Sequence, residues 1–261
     1  MTDAATTADA PLAQQPWPAM SIAQAYALMT APGAPLETET AVIRGVEMKV
    51  WKNAPPTLRD VLAAGRLHGP ERIFLVHEDE RVSFDAFHRA VARFARVLQG
   101  AGVEKGDRVA IVMRNLPEWP VAFFAATAIG AIATPLNAWW TGPELEYGLT
   151  DSGAKVLVVD AERLERLHEH LPQCPELKRV YVSRLQEELN HPYIEPLEQS
   201  IGAPDTWASL PDEALPAVDL DTDDDAFIFY TSGTTGKPKG AYGTHRNVCH
   251  NILAGAVGNV R

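Results

Sequence analysis

Apolar residues fall into two rhythms along this chain. Residues 72–77 are apolar enough for a strand, and Arg81, Val82 and Ser83 suit another. Phe84, Phe87, Val91, Phe94 and Leu98 then recur at steps of three and four, one apolar stripe of a helix ending near Gly100. Arg89, Arg93 and Arg96 occupy its other side, which reads as a solvated face. Residues 109–113 are a continuous apolar run, the mark of a parallel strand covered on both sides. A helix over 117–129 and a buried strand over 131–136 follow. Thr141, Pro143 and Glu144 spell a capping box with proline just inside the helix start, and Gly153 stands where that helix must stop. Strands over 155–159 and 179–182 enclose a helix over 161–171. Strands alternating with helices from about 108 to 183 predict an α/β fold, a mostly parallel sheet flanked by helices.

The flanks are less regular. Residues 1–20 are rich in Ala, Thr and Pro and have neither the cationic start nor the apolar core of a signal peptide, so they read as a tail. A short amphipathic helix is expected over 21–29, and a strand or extended arm over 41–51. Residues 1–50 are therefore expected as tail and arm, and 51–261 as the principal domain. Thr57 and Asp60 predict a capped helix to about Arg66. Residues 120–140 carry no charge, a length that suits a membrane span. Gly130, Pro135 and Asn137 interrupt the stretch, which predicts two short buried elements and no transmembrane segment. Residues 184–225 are irregular, and Asp219, Asp221, Asp223, Asp224 and Asp225 read as a solvated connector.

The chemistry concentrates after a second apolar run, 226–230, which reads as a buried strand. It empties into Thr231, Ser232, Gly233, Thr234, Thr235, Gly236, Lys237, Pro238 and Lys239. Four hydroxyls, two glycines that permit tight backbone and two cations make a pocket of donors suited to a polyphosphate. By composition alone such a cluster is more often a plain turn. The string is not a Walker A loop: Pro238 follows Lys237 where Ser or Thr is required, and Thr231 stands where the first glycine belongs. Proline also pushes Lys237 out of the helical region, so the loop is expected to join two strands, the second including Ala241, Tyr242 and Gly243. Thr244 is placed to cap a helix over 245–257, giving His245 and His250 ordinary first-turn and surface roles. No G-x-G-x-x-G string follows the first strand of the alternating region, which gives a Rossmann dinucleotide site little support.

Net charge is −11, which argues against a nucleic-acid groove and against strong attraction to anionic membranes. Two cysteines, Cys174 and Cys249, make no disulfide framework; both read as small buried apolar residues in a reducing cytoplasm. The eight histidines show no metal-ligand spacing, so no metal site is assigned.

Tyr230-Thr231-Ser232-Gly233-Thr234-Thr235-Gly236-Lys237-Pro238-Lys239-Gly240 resembles the signature of the adenylate-forming, or AMP-binding, enzymes: acyl-CoA synthetases, luciferases and peptide-synthetase adenylation domains. Gly106-Asp107-Arg108-Val109-Ala110, Asn115-Leu116-Pro117-Glu118, Gly130-Ala131-Ile132-Ala133-Thr134-Pro135-Leu136-Asn137, Glu144-Leu145-Glu146-Tyr147 and Asp151-Ser152-Gly153-Ala154-Lys155 resemble the first subdomain of an acyl-CoA synthetase. The likeness runs from about Trp51, firmly from Val82. Trp139 and Trp140 lie outside the common pattern and read as packing under the following helix, with a subsite as the other option. The resemblance implies the first subdomain and the start of the second of an adenylate-forming N-terminal domain. It implies that Thr231, Ser232, Gly233, Thr234, Thr235, Gly236, Lys237 and Lys239 hold the β- and γ-phosphates of ATP. It further implies Mg2+ and CoA, and a small-molecule carboxylic acid converted to acyl-AMP and then to its CoA thioester. In that family the groups for adenine, ribose and magnesium, and a lid lysine, follow the phosphate loop; none can be assigned here, so the chain is expected to be an N-terminal fragment, inactive alone. A non-catalytic phosphate-binding module, a peptide-synthetase adenylation domain and a luciferase-like relative remain as alternatives.

Overall fold

The computed structural model describes residues 20–186, 191–231 and 236–258. By its contacts the chain divides into two units, Met1–Ala54 with Ile252–Arg261, and Pro55–Asn251. The smaller holds helix α1 (Ile22–Met29) and strands β1 (Thr38–Ile43) and β2 (Val46–Trp51). Ser21 caps α1, accepting from the Gln24 N–H at 3.2 Å. β1 and β2 are an antiparallel hairpin turned at Arg44 and Gly45, with φ of 50° and 83°, as a tight turn between twisted strands requires. The arm expected over 41–51 is therefore most of this hairpin.

The larger unit opens with α2 (Leu58–Leu67), the hairpin β3 (Ile73–His77) and β4 (Glu80–Ser83), and α3 (Phe84–Gly100). Then come β5 (Arg108–Val112), α4 (Glu118–Ala128), β6 (Ile132–Pro135), α5 (Gly142–Ser152), β7 (Val156–Asp160), α6 (Ala161–Leu167) and β8 (Arg179–Ser183). β9 (Ile194–Pro196), α7 (Leu197–Ile201), β10 (Asp225–Thr231) and β11 (Lys239–Thr244) follow, then α8 (His245–Gly258), which belongs to this unit as far as Asn251. One seven-stranded sheet has the order β11-β10-β6-β5-β7-β8-β9, parallel except for β11. Both faces are covered, as the continuous apolar strands required. Val109 and Ile111 belong to one buried cluster with Phe87, Phe94 and Leu98 of α3 and Val121 of α4. Ala110 and Val112 belong to the other, with Leu145 and Leu149 of α5 and Leu164 and Leu167 of α6. Each such Leu or Phe contributes about 1.5–3 kcal/mol when fully buried. The chain leaves β5 for β6 on one side and then crosses to β7 on the other. That reversal opens a crevice at the carboxyl ends of β5 and β7, where open α/β sheets take ligands.

Several boundaries fall where the capping chemistry put them. Thr57 and Asp60 close their box at 2.9 Å, and Gly153 ends α5 at φ 61°. The uncharged stretch 120–140 resolves into most of α4, then β6, and no helix among the described residues is long and apolar enough to cross a membrane. Other expectations need correction. The helix over 161–171 stops at Leu167, and a 3-10 turn at Leu171–Gln173 follows, with Pro172 in its first turn, where a missing N–H leaves no bond unmade. The irregular 184–225 stretch includes β9, α7 and a 3-10 turn at Pro204–Ser209 with Trp207 fully buried. The arginine face of α3 is solvated at Arg93 and Arg96, which are exposed, and half-buried at Arg89, but its guanidinium groups are also engaged. Arg89, Arg93 and Arg96 donate to the carbonyls of Leu210, Ser200 and Ala214 at 2.7, 3.2 and 2.7 Å. Guanidinium groups thus serve backbone acceptors that no ladder satisfies. His245 is not a surface residue: it is fully buried and its Nδ1 accepts from the Leu58 N–H at 3.1 Å. Burial pushes its pKa down, which keeps it neutral and able to accept.

Candidate functional site

β10 runs parallel to β6, so its carboxyl end opens on the same edge of the sheet as the carboxyl ends of β5, β7 and β8. The glycine- and lysine-bearing string leaves β10 at that edge and returns as β11, antiparallel, with Tyr230 opposite Gly240 and Thr231 opposite Lys239. The strand–loop–strand arrangement expected from Pro238 is what forms. Ser232, Gly233, Thr234 and Thr235 lie outside the described residues. Of the other candidates, Thr231 donates from Oγ1 to the Lys239 carbonyl at 3.5 Å, Gly236 has φ +118°, and Lys237 and Lys239 are exposed. Gly243 secures the base: a Cβ there would lie 1.9 Å from the Phe227 ring.

The acidic connector lies at the other end of β10. A seven-residue strand is about 20 Å long, so Asp225 and Thr231 stand that far apart. Asp223 meets Arg246 in a two-pronged pair at 2.7 and 2.9 Å, and Asp224 meets Lys105 at 2.7 Å. These carboxylates are neutralised and turned away from the loop, rather than merely solvated.

Helix α5 meets the loop at both of its ends. The Tyr230 hydroxyl donates to Asp151 Oδ2 at 2.7 Å; burial, then the carboxylate, pushes that phenol's pKa well up. The Tyr147 hydroxyl stands 3.2 Å from the Pro238 carbonyl and 3.3 Å from Asp151 Oδ1. Lys237 Nζ sits 4.7 Å from the centroid of the Tyr147 ring. Trp140 packs edge-on to Tyr230 at 5.9 Å. The reading of Trp140 as packing holds, whereas Trp139 is 65% exposed with the Arg114 guanidinium 4.5 Å over its ring. Tyr147 and Asp151 were given no role from the sequence, although a spacing of four residues puts them on one face of a helix.

The crevice at the strand-order reversal measures about 780 Å³, and its lining balances Arg114, Arg163, Arg166 and Arg184 against Asp160, Glu162, Glu165 and Glu169. Asp160 caps α6 by accepting the Arg163 N–H at 2.9 Å, and its other oxygen accepts the Arg114 N–H at 2.9 Å. Arg163 is 1% exposed; it donates to Glu162 at 2.7 Å and to the Ala138 carbonyl at 3.2 Å, and its Nη2 is buried without a partner. Sequence reasoning missed this cluster. Its signal was a charged residue directly or soon after each apolar strand: Arg114, Asp160 and Arg184. Among the described residues no group of three or more His, Cys, Asp or Glu could hold a metal ion.

A family model described as AMP-binding enzyme matches residues 62–260. The long-chain-fatty-acid–CoA ligase FadD13 of Mycobacterium tuberculosis (strain CDC 1551 / Oshkosh) is 35% identical over 172 residues, covering 65% of this chain and 31% of that protein. The solved anthranilate CoA ligase AuaEII in complex with anthranoyl-AMP is similar at a TM-score of 0.64 and 27% identity, covering 73% of this chain and 35% of that one. The inhibitor-bound N-terminal domain of FACL13 from Mycobacterium tuberculosis gives 0.62 at 28% identity, covering 74% and 46%. The chain thus spans about a third of the length of the curated relative.

Proposed function

The chain belongs to the AMP-binding enzyme family, and from that premise we propose that it is the N-terminal portion of an ATP-dependent acyl-CoA synthetase. It would contribute the β10–β11 loop to the grip on the outer phosphates of ATP. The observation that carries this reading is the position of that loop: Gly236 and two exposed lysines at the carboxyl edge of a mostly parallel sheet, with Asp223 and Asp224 of the acidic connector paired and about a strand's length away. The whole protein would join a carboxylic acid to ATP, release pyrophosphate, and pass the acyl group from AMP to CoA. Lys237 and Lys239 would neutralise charge on the β- and γ-phosphates and so favour departure of pyrophosphate. The hydroxyls of Thr231, Ser232, Thr234 and Thr235 would donate to the same oxygens. Magnesium would arrive on the nucleotide, since the described residues offer no ligand cluster of their own. Relatives named for long-chain fatty acids and for anthranilate argue against naming the acid from these residues. Two free, buried cysteines support a reducing, cytoplasmic setting.

In the whole enzyme, Lys237→Ala with Thr234→Ala should weaken ATP use by about 1–3 kcal/mol, the scale of hydrogen bonds to charged groups. Unchanged acyl-AMP formation by that double variant would sink the loop assignment. The 261-residue chain by itself should be silent in acid-dependent exchange of labelled pyrophosphate into ATP. A grip on ground-state phosphates does not raise kcat, and no residue here is assigned to the reacting α-phosphorus. Robust exchange by the purified chain would overturn this.

A further inference from the structure

We propose that Tyr147 is a positioning residue for the phosphate loop, acting through Lys237, with Asp151 orienting it. The inference rests on the loop reading above and deepens it. Lys237 is exposed and, on a flexible four-carbon stem, would sample much of the space at the sheet edge. The Tyr147 ring lies 4.7 Å from Nζ and confines that ammonium to one place. Its hydroxyl, 3.2 Å from the Pro238 carbonyl, restrains the backbone one residue on. Asp151 lies one helical turn beyond Tyr147 and accepts the Tyr230 hydroxyl at 2.7 Å, so one face of α5 touches the chain just before the loop and just after it. An ammonium resting on a ring keeps N–H donors free for phosphate oxygens. The arrangement therefore sets the cation before a nucleotide arrives, and the ordering cost is met on folding rather than on binding.

The test is calorimetric titration of the whole enzyme with ATP and with inorganic tripolyphosphate, using Tyr147→Leu, Tyr147→Phe, Lys237→Ala and the Tyr147→Leu/Lys237→Ala pair. Tyr147→Leu should raise both dissociation constants about three- to fivefold, the scale of an exposed cation–aromatic contact. Tyr147→Phe, which keeps the ring, should recover most of that loss. In the Lys237→Ala background Tyr147→Leu should add less than about a twofold change, because the effect runs through the lysine. An equal penalty in both backgrounds would show a merely structural role and overturn the proposal, as would tighter binding by Tyr147→Leu. Should Lys237→Ala weaken binding while Tyr147→Leu does not, the loop reading stands and this inference falls. If the wild-type enzyme binds neither probe, or Lys237→Ala binds as well as wild type, the loop reading fails and takes the inference with it. Tyr147→Phe differs by one oxygen, so it keeps the comparison open if Tyr147→Leu fails to fold.

Discussion

Removing Arg184 should destabilise the protein in a pH-dependent way. Arg184 follows β8 with φ 58°, and its guanidinium reaches Glu118 at 3.0 Å and Glu80 at 2.8 Å. Glu118 is 2% exposed. Burial raises its pKa above the ordinary carboxylate value, and Arg184 pulls it back without cancelling the rise. In Arg184→Met that pull is lost and the pKa rises further. Breaking a fully buried pair costs about 3–5 kcal/mol. Arg184 is one-third exposed on its side chain, so solvent screening reduces the expectation to about 1–3 kcal/mol. The sign follows from linkage. A carboxyl whose folded pKa exceeds its unfolded value loses stability as pH rises from the unfolded toward the folded pKa, and the variant, with the higher folded pKa, loses more. The gap between wild type and variant should therefore be full where Glu118 is ionised in both and shrink once it is protonated in both. Urea unfolding at pH 8 and in steps toward pH 4.5 measures it. A destabilisation independent of pH, or below about 0.5 kcal/mol at pH 8, the range of an ordinary surface substitution, would refute the reasoning.

Gly243→Ala places a methyl 1.9 Å from the Phe227 ring, which already packs on Phe229 with centroids 4.2 Å apart. Overpacking of this kind should cost about 1–3 kcal/mol and lower Tm by about 2–4 °C for each kcal/mol; an unchanged melting curve would show that the ring moves freely. Cys174 and Cys249 are free and buried, and burial pushes the Cys249 thiol up to about 11. Thiol titration should find both cysteines reactive in denatured, unreduced protein and nearly unreactive in native protein at pH 7; fast labelling of native Cys249 would contradict its burial.

Where one local rule decides the outcome, the sequence was a reliable guide. Gly153 had to end α5 because few other residues accept φ 61° there, and the continuous apolar run at 109–113 had to lie between two helical layers. That the chain returns after β10 as a second strand, β11, followed from Pro238. What stayed hidden depended on partners distant in the chain. Arg89 of α3 finds the Leu210 carbonyl 121 residues away, and His245 of α8 accepts from Leu58 across 187 residues. No periodicity within an element encodes such a pairing. The same limit applies to the candidate site. Residues 230–240 could be read as one string because their chemistry is contiguous, whereas Tyr147 lies 91 residues before the Pro238 carbonyl it meets. Its spacing from Asp151 was visible, but that pattern names a helix face and not its occupant. The occupant follows from the strand order: β10 enters the sheet beside β6, and the chain leaving β6 is the one that becomes α5. The bracket around the loop is thus a consequence of topology, and reading it required knowing that a strand from late in the chain inserts next to one from its middle.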